Sequence, residues 1–247
     1  MNEAQHETAP IALVTGASHG IGFEVCRQLA QQGMIVLLTA RSIEKSSAAA
    51  ARLARDGVDV RARTLDVDDD ASVQQLARAV EQEFGRLDVL INNAAAFVSW
   101  GETALTADLA TAHGVFETNL FGTWRTCQAF APLLRRSAHG RIVNVSSGAG
   151  SHDDPLFGLT TGRGSVASYG ISKAAINALT AKLAAELDGS GILVNAVCPG
   201  FTATAPGMDA MGARPVGEGA AGIVWAATLL DDGPTGGFFR DGQPAPW

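Results

Sequence analysis

Tyrosine occurs once in these 247 residues, at Tyr169, and lysine only at Lys45, Lys173 and Lys182. Cysteine is nearly as scarce. Cys26, Cys127 and Cys198 are far apart and odd in number, which excludes a disulfide framework or a CxxC redox pair and points to reduced core thiols. No apolar run reaches the roughly eighteen residues that a membrane span needs. Basic residues are in deficit, with a formal net charge of −7, which argues against a nucleic-acid partner. The five histidines form no ligand cluster, so no metal site is expected. The opening "MNEAQHETAP" lacks the apolar core of a secretion signal, and a cytoplasmic location is the expectation.

What is present is ordinary globular material, 47% apolar and 17% charged, arranged in an alternating pattern. Ile11–Thr15, Met34–Thr39, Val58–Leu65, Leu87–Asn92, Arg141–Ser146 and Ile192–Val197 read as strands. Several are apolar throughout, as in strands buried on both faces of a parallel sheet. Helical patterns lie between them: "GIGFEVCRQLAQQG", Ser42–Asp56, "DDASVQQLARAVEQEFG" with Asp69, Asp70 and Ser72 as candidate caps, Thr111–Ser137, and the segment around Tyr169. Repeated βα units with right-handed crossovers predict a doubly wound α/β sheet with helices on both faces. No linker, repeat or low-complexity tract divides the chain, so residues 1–10 read as a polar tail and 11–247 as one domain. The longest irregular segment in the middle is "SHDDPLFGLTTGRGS", Ser151–Ser165.

Two features carry chemistry. "VTGASHGIGFEV" follows the first strand and opens the first helix, with Gly16, Gly20 and Gly22 forming a tight turn. Glycines there let backbone approach a pyrophosphate, and the helix N-terminus offers free N–H groups to that anion. An acidic residue at the end of the second strand would favour NAD(H) by binding the ribose 2′-hydroxyl. The chain has "LLTARS" instead, and Arg41, with His19 and Ser42 nearby, suits a 2′-phosphate. NADP(H) is therefore expected over NAD(H), although Arg41 could also be a solvated residue at a strand end. The second feature is Tyr169 four positions before Lys173, a spacing that stacks two side chains on one helix face. A surface pair packing its aliphatic parts has the same spacing, so the pair alone decides nothing.

The order of further motifs is more specific. "TGASHGIG" (15–22), "LDV" (65–67), "NNAA" (92–95), Asn119 in "FETNLFGT", "NVSS" (144–147), "YGISK" (169–173) and "NAVCPGFTAT" (195–204) fall in one register. Along essentially its whole length the chain thus resembles the short-chain dehydrogenase/reductase family, and its ending looks most like the carbonyl-reductase-like members. The resemblance implies a Rossmann-type fold and a catalytic set of Ser147, Tyr169, Lys173 and Asn119. Tyr169 would be the general acid/base, with its pKa lowered by Lys173. Ser147 would orient the carbonyl, and Asn119 would hold a water between Lys173 and solvent; a buried structural Asn is the alternative for that residue. The cofactor would be bound by Gly16, Ser18, His19, Gly20, Ile21 and Gly22 at its pyrophosphate, with Arg41 at the 2′-position. Asp66 and Val67 would meet the adenine, Asn93, Ala94 and Ala95 the ribose, and Pro199, Gly200, Phe201 and Thr202 the nicotinamide, with Tyr169 and Lys173 alongside.

The implied activity is NADPH-dependent reduction of ketones or aldehydes, reversible as alcohol oxidation. A non-catalytic nucleotide-binding regulator, or a dehydratase or epimerase on the same scaffold, are the other readings. Ala95 and His19 depart from the family's usual Gly and Arg/Lys. Ser147 and Tyr169 lie 22 positions apart, so Ser151–Ser165 should form a loop beside the site mouth. That insert is shorter than the one in monomeric carbonyl reductases, which covers their usual subunit interface, and a homodimer or homotetramer is expected. Phe97, Trp100, Leu156, Phe157 and Met208 are candidate pocket residues for an apolar small-molecule carbonyl compound without a charged anchor. The Gly/Ala/Pro-rich Phe201–Gly219 should form an open rim.

Overall fold

In the computed structural model, which describes residues 9–247, eight strands form one sheet in the order β3-β2-β1-β4-β5-β6-β7-β8. The parallel strands are β1 (Ile11–Val14), β2 (Ile35–Ala40), β3 (Val60–Thr64), β4 (Val89–Asn92), β5 (Arg141–Val145), β6 (Leu193–Val197) and β7 (Phe238–Arg240); β8 (Gln243–Pro244) runs antiparallel at the edge. All six expected strands form, each within two residues of its expected limits. Most of the expected 1–10 tail lies outside the described residues.

The helices are α1 (Gly20–Gln31), α2 (Ile43–Ala54), α3 (Asp70–Phe84), α4 (Leu109–Phe116), α5 (Thr123–Leu134), α6 (Ala167–Glu186) and α7 (Val216–Ala227). Alternation along β1 shows why two helical layers are needed. Ile11 and Leu13 enter a core shared with α3, α5 and α6, whereas Ala12 and Val14 enter one shared with α1, α2 and α7. Asp69 caps α3, its side chain accepting from Ala71 N at 2.9 Å; the Ser72 hydroxyl instead accepts from Asp66 N at the end of β3. The strand order reverses between β1 and β4, which places a crevice at the C-terminal ends of those strands.

Three elements depart from the pattern read in the sequence. The long Thr111–Ser137 helix is two helices joined by a π-helical turn, Glu117–Gly122, with Asn119 inside it. Helix α7 begins at Val216, within the segment read as rim, because Pro215 sets its start. The β7–β8 hairpin was not anticipated, although Asp241-Gly242, both at positive φ (54° and 73°), is the sequence sign of such a turn.

Candidate active site

Every titratable side chain implicated by the sequence stands near the crevice because a strand ends or a helix begins there. At the end of β1 the chain turns at Gly16 (φ 62°), where an added Cβ would come within 2.8 Å of Ala94 Cα. Gly22 is closed against Asn93 and Ala17 in the same way. The turn is held from β4: Asn93 Nδ2 donates to Thr15 O (2.8 Å) and Gly16 O (3.1 Å), and Thr15 Oγ1 accepts from Asn93 N and Ala94 N (both 2.9 Å). Asn93 thus spends its amide on the loop itself. The first turn of α1 has no side-chain cap: Ser18 and His19 hydrogen-bond each other (3.2 Å), and no acidic residue lies in that turn. Uncapped N–H groups behind a loop in which only glycine fits suit a pyrophosphate well.

Around this turn, Arg41 is exposed just past β2 and makes no hydrogen bond or ion pair among the described residues. Its neighbour Ser42 is the N-cap of α2 and is occupied with Lys45 N and Glu44. Asp66 is partly exposed after β3, and its Oδ1 accepts from Asp68 N at 3.2 Å. Val67 packs against Gly122 of the π turn. Ala95 is exposed.

The other half of the site is built by β5 and α6. Ser146 and Ser147 diverge as successive residues of an extended chain must. Ser146 is buried and donates to Asn177 Oδ1 (2.7 Å), while Ser147 is partly exposed and lies beside the Tyr169 phenol. Lys173 is 3% exposed, with Nζ donating to Val145 O at 2.7 Å and lying 5.5 Å from the centre of the Tyr169 ring. Asn119, fully buried in the π turn, is engaged on both sides of its amide. Oδ1 accepts from Ala96 N (2.7 Å), and Nδ2 donates to Ala96 O (3.1 Å) and Ser172 Oγ (2.9 Å). The amide therefore ties the Ala96 backbone to the Ser172 side chain of α6.

Lys173 is expected to lower the Tyr169 phenol; in the protein alone, loss of water around that phenol pushes it up to about 12, opposed by the Ser147 hydroxyl. Burial likewise draws Lys173 down to about 8. Desolvation disfavours the charged form of each group and is the largest cause of both shifts.

Ser147 and Tyr169 open on a cavity of about 640 Å³ whose wall is mainly apolar. Phe97, Trp100, Leu156, Phe157 and Met208 all line it, together with Ser147, Tyr169 and the Pro199–Thr202 segment. The aromatic rings form a continuous series: Tyr169 to Phe97 (4.7 Å), Phe97 to Trp100 (5.1 Å), Trp100 to Phe201 (6.4 Å) and Phe201 to Phe157 (5.5 Å). The wall also contains Arg214 and Arg240, both held in ion pairs within the fold, although the buried Arg240 Nε has no hydrogen-bond partner among the described residues. Arg214 donates to Pro199 O and pairs with Asp241 (2.8 Å); Arg240 pairs with Asp154 (2.5 Å). Asp154 in turn accepts from Leu156 N and Phe157 N, fixing the Ser151–Ser165 loop at the mouth. The rim is tied as well: Arg214 N donates to Phe201 O and Ala203 N to Arg214 O.

Sequence reasoning missed several of these residues. All three cysteines are buried and unpaired, but Cys198 also lines the cavity, its sulfur accepting from Gly148 N (3.2 Å), Gly200 N (3.3 Å) and Arg240 (3.3 Å). Val166 lines it too, in a left-handed conformation (φ 50°) that a β-branched residue rarely adopts. No pattern in a single sequence marks either one.

A glycine turn at the switch point of a doubly wound sheet, with a Tyr/Lys helix across the crevice, defines a Rossmann-type dinucleotide-binding protein. Comparison with known proteins places it further: the model of the short chain dehydrogenase family matches residues 10–212, and the chain belongs to that family of oxidoreductases, among its carbonyl-reductase-like members. It is 39% identical over 228 residues to short-chain dehydrogenase anuI of Penicillium roqueforti, covering 90% of this chain and 89% of the relative. Carbonyl reductase [NADPH] 1 of Mus musculus is 33% identical, covering 96% of this chain and 98% of the mouse protein. That alignment takes 280 positions, so the mouse protein carries segments absent here. Among solved structures, salutaridine reductase from Papaver somniferum superposes with a TM-score of 0.78 at 29% identity, covering 94% of this chain and 99% of that one.

Proposed function

We propose that the protein is an NADPH-dependent reductase of ketones and aldehydes, reversible as an alcohol dehydrogenase. The observation that carries this reading is that Ser147 and Tyr169 line an apolar cavity beside the glycine turn, with the buried Nζ of Lys173 5.5 Å from the Tyr169 ring. When bound, the nicotinamide supplies the hydride. The protein's task is to position the carbonyl and deliver a proton to its oxygen. Ser147 holds that oxygen through its hydroxyl, and Tyr169 donates the proton. A phenol raised to about 12 is fully protonated at neutral pH, the state an acid must have for reduction. As the proton leaves, the buried ammonium of Lys173 steadies the negative charge that forms on the ring oxygen. Asn119 keeps α6 in register with the Ala96 strand end and acts as a positioning residue.

Arg41, with Ser18 and His19, would hold the 2′-phosphate of the cofactor, and Gly16, Gly20, Ile21 and Gly22 its pyrophosphate. Asp66 and Val67 border the adenine, Asn93, Ala94 and Ala95 the adjoining ribose, and Pro199, Gly200, Phe201 and Thr202 the nicotinamide. Support for the phosphorylated cofactor comes from the exposed guanidinium of Arg41, which makes no hydrogen bond among the described residues, and from a relative named for NADPH.

The test is NADPH consumption across aliphatic, aromatic and polycyclic ketones with the wild type and Tyr169→Phe. The variant should lose turnover by about a thousandfold and still bind NADPH. Turnover that survives the substitution removes Tyr169 as the acid, whereas tight cofactor binding with no turnover in the wild type favours a non-catalytic nucleotide-binding protein.

A further inference from the structure

We infer that Glu102 is a positioning residue for Tyr169, capping the helix that bears the tyrosine from a distant loop; the inference rests on the proposed role of Tyr169 as the acid. Helix α6 begins without a cap of its own. Its N-cap position is Val166, which has no hydrogen-bonding side chain and sits at positive φ, so the first N–H groups of the helix need an outside acceptor. Glu102 supplies it. Its carboxyl accepts from Ser168 N and from Ser168 Oγ at 2.9 Å, and its own carbonyl accepts from Ala167 N at 3.4 Å. The side chain is 66 residues away in sequence and 9% exposed. An acceptor of this kind at a helix N-terminus also favours the helix dipole. Ser168 is the residue immediately before Tyr169.

A second tie completes the geometry. Asn119 grips Ala96 through both backbone groups and donates to Ser172 Oγ, which itself donates to Tyr169 O at 2.7 Å. The Ala96–Glu102 segment is therefore pinned to α6 on both sides of Tyr169. Between the two pins lies Phe97, whose ring meets that of Tyr169 edge-on. Removing the Glu102 pin frees this wall, exposes the phenol, already partly open to the cavity, to more water and loosens the first turn of the helix. The titratable groups close to the phenol, Lys173 and Cys198, are untouched by the change.

Because Tyr169 is the only tyrosine, the alkaline change in phenol absorbance reports its ionisation alone, with no substrate present. In Glu102→Ala the midpoint should fall from about 12 toward the ordinary value near 10, and kcat should drop about tenfold with the KM for NADPH unchanged. Glu102→Gln, which retains an accepting oxygen for Ser168 N–H and offers an amide to its hydroxyl, should restore both. Ser168→Ala, which leaves the backbone bond in place, should lie between wild type and Glu102→Ala. A folded Glu102→Ala with the wild-type midpoint and kcat overturns the inference; should that variant not fold, a wild-type midpoint and kcat in Ser168→Ala overturn it instead. If the wild type reduces no carbonyl compound but its phenol midpoint still moves in these variants, the positioning of Tyr169 stands and the proposed reaction falls.

Discussion

Two cavities of the same volume, about 640 Å³ each, open at opposite ends of the sheet. One lies at the C-terminal ends of the strands and contains Ser147 and Tyr169. The other is lined by Pro10, Met34, Asp88, Val89 and Arg141, residues at the N-terminal ends of strands. The second is richer in charge, yet its charges are consumed by the fold. Arg141 donates to Leu229 O and Gly140 O and pairs with Asp231, and Asp88 accepts from Ile11 N (2.8 Å), Ser137 Oγ (2.5 Å) and Arg86 (3.2 Å). At the other end, Arg41, the first N–H groups of α1 and the Tyr169 phenol carry few internal partners. Size does not separate the two, and charge points to the wrong one; polar capacity left over for a ligand picks out the site. Parallel strands produce that difference, because helices begin at one end, with N–H groups to offer, and finish at the other.

The largest effect that would sharpen this contrast comes from Lys173→Met. Turnover should fall at least about a hundredfold, since the charge that steadies the ionising phenol is gone. Stability should respond in a way that distinguishes a functional charge from a structural one. The folded pKa of Lys173, about 8, is below the ordinary lysine value, so burying the ammonium opposes folding at neutral pH, and that cost fades as pH rises from 8 toward 10. Wild type should therefore gain about 2 kcal/mol relative to the variant between pH 7 and pH 10. Chemical denaturation at both values measures it, and a flat difference would show that Lys173 is not strained by its burial.

Asp88→Ala is the counterpart at the other cavity. It strands Ile11 N–H and Ser137 Oγ and unpairs Arg86, which should cost about 3 kcal/mol in a urea titration. Turnover per folded molecule should stay within about twofold of wild type, because nothing at that end touches the reacting groups. A large loss of kcat in the folded variant would break the contrast and make the second cavity part of the mechanism.

The two ends were not equally legible in the sequence. Gly16 and Gly22 could be read because a backbone needing close approach leaves only one residue type, and the Tyr169/Lys173 spacing because a helix repeats every 3.6 residues. Strands such as Ile35–Ala40 announced themselves by being apolar on both faces. What escaped depends on contacts between distant segments. Glu102 reaches Ser168 across 66 positions, Arg240 reaches Asp154 across 86, and Asn92 bonds Asn144 across 52. The burial that raises the Tyr169 phenol escaped for the same reason: a four-residue spacing reveals the neighbouring ammonium but not the atoms that distant segments pack around the ring.

The smallest effect concerns Arg41 and tests the meaning of a polar group without partners. Its guanidinium is exposed, with neighbouring Ser42 committed to capping α2, so Arg41 alone among the strand-end residues near the turn offers a full positive charge. Arg41→Ala should lower the preference for NADPH over NADH by about tenfold, equivalent to about 1.4 kcal/mol, mainly through a higher KM for NADPH. The loss should shrink as salt is added, since an exposed pair with a phosphate is screened within about a Debye length. Melting of the protein without cofactor should change little, because the side chain makes no hydrogen bond and only an exposed, screened interaction with Asp68. A variant that melts earlier would show that Arg41 belongs with the paired arginines of the opposite end; an unchanged NADPH/NADH ratio would mean that the 2′-phosphate is held by Ser18 and His19, at the mouth of the glycine turn, rather than by the strand end.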